Sequence, residues 1–436
     1  MMPKISPQSW QTDHLDSARV RLPGLKLIIT RPSFPFGPLS LDVQHALHVA
    51  RDEDSRVYFL QPKRVMNSAV YELRSDDVAV ILQRPWLNGV LGLAWYLRRG
   101  VDSAKRHVLL KPWRAARKLW RMTHNQASQS VRTATARAYY GSEFRRSVAA
   151  HPVAVGLPDD RRKEAEVAAL KLGLAPGMDI VTLHIRESGF KPDRRPMEDA
   201  RNADIGTYFE AIDFLTSGGF TVVRIGDASM TPVRRDGLVD LAASSERTDL
   251  LELWCVMESR FFMCCDSGAY HLGPLTGTPT LQVNVIDPIL CYPMRGSSMF
   301  MPKRFANRAT ESVFSLGEMV TPEHYGGIIS ELQAFERTKS YDIIDNTPEE
   351  LRDAVVEMLA HTQGDKAMTA EQNEFHGRML DLCEALSRET MKRAYWERRF
   401  GPGELFLGEG AIVDSFAKRH LNSSGRVVVP RKASQR

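Results

Sequence analysis

Three stretches of this chain end an apolar run in side chains of the kinds that hold phosphate. "VTLHIRES" closes on His184 and Arg186, "VVRIGD" on Gly226 and Asp227, and "FFMCCDSG" on Asp266, Ser267 and Gly268. A guanidinium makes two parallel hydrogen bonds to phosphate oxygens. A Ser-Gly turn that opens a helix leaves backbone N–H groups and the positive end of the helix dipole facing outward, and glycine lets an anion come close. The Ser267 hydroxyl is expected to donate one more hydrogen bond. His271 follows one turn later in "SGAYHLG", as a ligand contact or as a packed histidine. Each element alone is commonplace, since an Asp-Ser-Gly turn is often only a tight helix start and Arg186 alone could serve a structural ion pair. In this order they describe a diphosphate clamp.

The clamp works only if the strands carrying it lie side by side. From about 160 to 340 the pattern alternates: "DIVTLHIRE" (strand), "DIGTYFEAIDFLTSGG" (helix, Asp204 as its N-cap), "FTVVRIGD" (strand), "TDLLELWCVMES" (helix), "RFFMCC" (strand), a short helix, then "TPTLQVNV" (strand). That rhythm predicts a doubly wound parallel sheet, whose ligands bind beyond the carboxyl ends of the strands. "LKLIIT", "RVYFL" and "DVAVIL" predict a second parallel sheet nearer the N-terminus, with a loop and an amphipathic helix after the first strand. The expected class is therefore α/β: a parallel-sheet unit over 1–157 with a basic helical insertion over 98–150, a doubly wound domain over 158–345, then C-terminal helices and tail over 346–436. "TPEE" at 347 to 350 reads as a capping box opening one of those helices.

With 436 residues, 43% hydrophobic and 25% charged, the chain has the balance of a soluble globular protein. Five cysteines in neither a zinc spacing nor an even framework favour a reducing compartment, and the N-terminal stretch lacks the apolar core of a signal peptide. The expected location is cytoplasmic. The net charge of +5 is unevenly spread, for 98–146 holds thirteen Lys/Arg against Asp102 and Glu143. Just before it, "PWLNGVLGLAWYL" is too short to span a bilayer but suits a helix lying on an anionic leaflet. The segment 85–121 is thus expected to meet the inner face of the cytoplasmic membrane. A solvated basic face over a core helix is the alternative, and nucleic acid the least favoured partner.

The stretches "VTLHIRESGFKPDRR", "RNADIGTYFEAIDFLTSGGFTVVRIGD", "RFFMCCDSGAYHLGPLTGTPTLQVN" and "YDIIDNTPEELRDAV" resemble a group of bacterial glycosyltransferases associated with surface polysaccharides. Their GT-B architecture, shared with heptosyltransferases and fucosyltransferases, implies two Rossmann-like doubly wound domains facing a cleft, and the resemblance covers roughly 175–360. It implies that the second domain holds a nucleotide-sugar donor, with "HIR" similar to the phosphate-contacting arginine motif of fucosyltransferases and "DSGAYHL" to the donor-phosphate turn of heptosyltransferases. The first domain would bind a glycan or lipid-linked acceptor and supply a base, for which "FGPLSLDVQHAL" places Asp42 at the matching position. That stretch lacks the Gly-Asp pair of heptosyltransferases, and Asp42 reads equally as a helix cap. By the resemblance the transfer is inverting. Asp193, Arg194, Arg195, Arg201 and Asn202 form a lid or acceptor contacts over the site, or a surface loop. No cofactor and no metal are expected, because Arg186 and the amides of Ser267 and Gly268 can stabilise the leaving diphosphate and the lone Asp-x-Asp at 52 to 54 ends a helix.

Two other readings compete: a nucleotide-sugar epimerase of the same architecture, and a membrane-associated scaffold without catalysis. A hydrolase built on Ser267 lacks the Gly-x-Ser-x-Gly elbow, as Cys265 stands at its first glycine. No P-loop, GxGxxG opening or HExxH is present.

Overall fold

The apolar runs of the second half become strands buried on both faces, as a parallel sheet covered by helices requires. The computed structural model describes residues 27–30, 36–104, 131–133, 142–190, 199–333, 340–364, 367–388 and 406–426. Near the N-terminus lie β1 (Leu27–Ile29), helix α1 (Phe36–Asp52), β2 (Arg56–Tyr58), helix α2 (Pro85–Ala104) and β3 (Val131–Thr133). They are followed by β4 (Ile180–His184), β5 (Thr221–Arg224), β6 (Leu238–Asp240), β7 (Ser259–Cys264), β8 (Thr280–Val285) and β9 (Met299–Pro302). The last strands are β10 (Arg304–Asn307), β11 (Ser312–Val313), β12 (Tyr341–Ile344), β13 (Ala411–Ile412) and β14 (Gly425–Arg426).

The main sheet runs β13-β9-β8-β7-β4-β5-β6, with every pair parallel. β4 sits centrally; the chain builds outward from it through β5 and β6 on one side, then returns to build β7, β8 and β9 on the other. The order reverses between β4 and β7, and sheets of this kind bind ligands in the crevice outside the carboxyl ends of the strands at such a switch. Two helices start where the sequence predicts, Thr248 accepting from the Leu251 N–H and Thr347 with Glu350 forming a capping box, whereas Asp204, accepting from the Gly206 N–H, caps a 3-10 turn Ile205–Tyr208 that precedes the α-helix Phe209–Ser217.

The first sheet, β2-β1-β3, is also parallel, and an isolated parallel bridge between Val57 and Val80 extends it. β3 lies inside the stretch read from sequence as a helical insertion. That region thus gives the sheet a strand between α2 and the helix Ser142–Ala150, while 105–130 and 134–141 lie outside the described residues. A three-residue strand is too short to show a period against a helical background. The tail departs from expectation for the same reason. Its two-residue strands β13 and β14 join the main sheet and an antiparallel sheet, β12-β10-β11-β14, that the sequence pattern did not announce.

Successive residues of β4 serve opposite faces, with Val181 and Leu183 in one apolar core and Ile180 in the other. The second of these cores continues through Trp254 and Leu251 into Val43 and Leu47 of α1 and Ile28 and Val57 of the first sheet, so the two sheets share it. Polar contacts line the same seam. Gln44 donates to the Pro274 carbonyl at 3.0 Å, Ser68 Oγ to Asp249 Oδ2 at 2.8 Å, and Arg145 to the Tyr292 carbonyl at 3.1 Å.

Candidate active site

β4 and β7 deliver the predicted groups to the switch crevice. The His184 carbonyl accepts from the Cys265 N–H at 3.2 Å, and the Arg186 N–H donates to Cys265 Sγ at 3.0 Å, so the two strand ends are tied just past the sheet. His184 Nε2 lies 2.9 Å from Ser267 Oγ, and its Nδ1 lies 3.2 Å from the Ile225 carbonyl oxygen. A carbonyl only accepts, so Nδ1 carries the hydrogen. Burial, with smaller contributions from Arg186 and Arg224 against those of Ile225 and Asp227, lowers the His184 pKa to about 4. The ring is therefore neutral at pH 7, and bare Nε2 accepts the Ser267 proton. This corrects the expectation that Ser267 donates to an anion, for its proton is committed to His184 and its lone pairs are what it presents. Beside Arg186, the first N–H groups of the 3-10 turn Gly268–His271 find no partner within that turn and face the end of the strand as donors.

Asp266 is held inside its own loop. Its Oδ1 accepts from Arg201 Nε at 2.9 Å, and the same nitrogen reaches the Asp266 carbonyl at 3.0 Å, so Arg201 braces the loop before Ser267. Asn202 is braced in turn: its carbonyl accepts from Lys303 Nζ at 2.8 Å, and Lys303, 1% exposed, also pairs with Asp345. Gly226 has φ 153°, and a Cβ there would meet Met230 Sδ at 2.3 Å, so this strand end requires glycine. Asp227 Oδ1 accepts from the Ser229 N–H at 2.9 Å and shapes its own turn. His271 is half-buried, and burial followed by Arg201 lowers its pKa to about 4. Asp193, Arg194 and Arg195 lie outside the described residues.

The first sheet reaches this turn through α1. A Cβ at Gly37 would stand 3.2 Å from Gly268 Cα and 3.3 Å from His271 Cδ2. The helix begins at Phe36, earlier than the loop reading allowed, which puts Asp42 in its second turn at 1% exposure and not at a cap. The Asp42 charge helps burial raise the Tyr71 phenol pKa. To meet an acceptor hydroxyl this carboxylate would first have to be uncovered.

Sequence reasoning missed the groups that hold the crevice in shape. Arg224, fully buried, forks between Glu187 and Asp240 and also donates to the Thr231 carbonyl, joining the ends of β4, β5 and β6. A charge inside the apolar run "TVVRI" was the available signal. Glu252 accepts from the Gly226 N–H at 3.4 Å while Arg247 donates to the Gly226 carbonyl at 2.9 Å, and burial raises Glu252 to about 7. Among the described residues no group of three or more His, Cys, Asp or Glu could hold a metal ion.

No family model and no curated protein matches the chain. Among solved structures, the E. coli ADP-heptose LPS heptosyltransferase II overlaps 78% of this chain and 100% of its own, at 12% identity and a TM-score of 0.44. A family 9 glycosyltransferase from Veillonella parvula overlaps 59% of this chain and 80% of its own, at 13% identity and a TM-score of 0.33. NodZ α-1,6-fucosyltransferase soaked with GDP-fucose overlaps 58% and 92%, at 10% identity and a TM-score of 0.31. The overlaps are partial, so a function for this chain rests on its own site.

Proposed function

We propose that the chain is a glycosyltransferase that moves a sugar from a nucleoside-diphosphate donor to a glycan or lipid-linked acceptor in surface polysaccharide synthesis. One observation carries the reading. The first turn of α1 comes so close to the strand-end turn of the main sheet that a Cβ at Gly37 would stand 3.2 Å from Gly268 Cα, next to Ser267 and its partner His184. The donor's diphosphate would lie along the Gly268 turn, against Arg186. As the bond from the anomeric carbon to the leaving oxygen breaks, negative charge grows on the diphosphate, and fixed donors at that point are usually the largest catalytic contribution. Ser267, held by neutral His184, would position the turn or accept from a sugar hydroxyl. The proposal keeps direct, inverting displacement and calls for no metal. Asp42 remains the proposed base, on condition that α1 moves to expose it. A lipid-linked acceptor would bring the enzyme to the inner face of the cytoplasmic membrane.

The test is nucleoside-diphosphate release from a panel of nucleotide sugars, with and without a membrane extract as acceptor. One donor should be consumed only with acceptor present, and Arg186→Ala should slow release by about a hundredfold or more. A changed free nucleotide sugar without acceptor would point to the epimerase, and no turnover of any donor would overturn the reading.

A further inference from the structure

Helix α2 presents two apolar faces and the fold uses one of them. Leu87 and Leu91 pack on the small core of Ile29, Tyr58 and Leu60. Trp86, Val90, Leu93 and Leu97 are 70%, 58%, 62% and 61% exposed. Their spacing of four, three and four residues confines them to an arc of roughly 60° on the helix, in a row about 16 Å long. Leu82, 54% exposed, lies just ahead of the row. Four large apolar side chains aligned in water mark a surface that something covers.

We infer that this row docks α2 flat on an anionic lipid leaflet, with Trp86, Val90, Leu93 and Leu97 entering the acyl boundary. The charge of the chain selects that occupant: residues 98–121, which continue directly from the row, carry nine Lys/Arg and the single acid Asp102. An apolar face joined to concentrated positive charge is the pattern of helices that lie in an anionic interface, where insertion and electrostatic attraction add. No helix of the described residues is long and apolar enough to cross a membrane. A second copy of this chain would bring the same basic segments together, and nucleic acid would leave the row uncovered. The inference extends the proposed function by giving its acceptor a membrane setting, but the contact itself needs no reaction.

The experiment is sedimentation of the full-length protein with vesicles of phosphatidylcholine alone or with 30% phosphatidylglycerol, roughly the anionic share intended for the probe. Wild type should bind the anionic vesicles, and Trp86→Ser with Leu93→Ser should weaken binding about tenfold or more. Val167→Ser, at an exposed position on another helix, is the control and should leave binding unchanged. Both variants should keep the wild-type melting temperature and any nucleotide-induced shift, which separates failure of the docking surface from failure of the transfer reading. Absence of binding to anionic vesicles, binding indifferent to the double substitution, or a dimer that the double substitution dissolves would each overturn the inference.

Discussion

The main sheet and the seam beside α1 bury polar groups in different ways. In the sheet the buried charges come in pairs: Arg224 with Glu187 and Asp240, Lys303 with Asp345, Asp266 with Arg201. α1 instead turns Ser40, Asp42, Gln44, His45 and His48 inward, and both histidines have a pKa lowered to about 4, chiefly by burial. A buried ion pair fails when one partner is removed, because the other is left charged in a poor solvent. A buried neutral histidine fails when the medium offers it a proton. The lesson is that mutation should find the weak points of the sheet, and mild acid those of the seam and of the His184 contact.

The largest effect of a single substitution is expected from Arg224→Met, which leaves Glu187 and Asp240 facing each other. It should lower the unfolding free energy in urea by about 3–5 kcal/mol. A loss under 1 kcal/mol would show that the triad contributes little.

Acid acts on four groups at once. His45, His48, His184 and His271 all have folded pKa values near 4 against the usual 6.5, so the unfolded chain binds more protons between those limits. Their contribution is full above about pH 6.5 and is lost as pH falls toward 4 and below, by on the order of 1 kcal/mol per pH unit for each histidine. Urea titrations from pH 7.5 to 4.5 should show this fall, and His45→Gln with His48→Gln should flatten it. A stability independent of pH across the window would break the contrast between paired and neutral burial.

Gly226→Ala should cost less, about 1–3 kcal/mol, since φ 153° is unfavourable for alanine and Met230 must move aside. It should also disturb the hydrogen bonds that Gly226 makes with Glu252 and Arg247. A melting temperature equal to wild type would show that the strand end adapts.

How much was legible beforehand follows from range. The strand ends at His184, Arg224 and Cys264 were readable because hydrophobic runs with turn residues behind them are local signals, and parallel topology then brings such ends together. The caps at Asp204, Thr248 and Thr347 reach only two or three positions along the chain and are equally open to a reading of the sequence. What escaped depends on distant partners. Whether Ser267 donates or accepts is decided by a histidine 83 positions away and by the Ile225 carbonyl behind it. Asp42 carried the residue type of a base, yet its burial is set by where α1 packs. β13 and β14 are pairs of residues whose strand state exists only through neighbours far away in sequence.

The most direct test of the switch crevice as a diphosphate site is thermal unfolding against UDP, GDP, ADP, CMP and dTDP, with Arg186→Ala alongside. A nucleotide at 100 times its Kd should stabilise wild type by about 2.7 kcal/mol. One nucleoside diphosphate should raise the melting temperature of wild type, and the variant should lose that rise while melting near wild type in its absence. A panel without any shift at millimolar ligand, or a shift that Arg186→Ala leaves intact, would contradict the site.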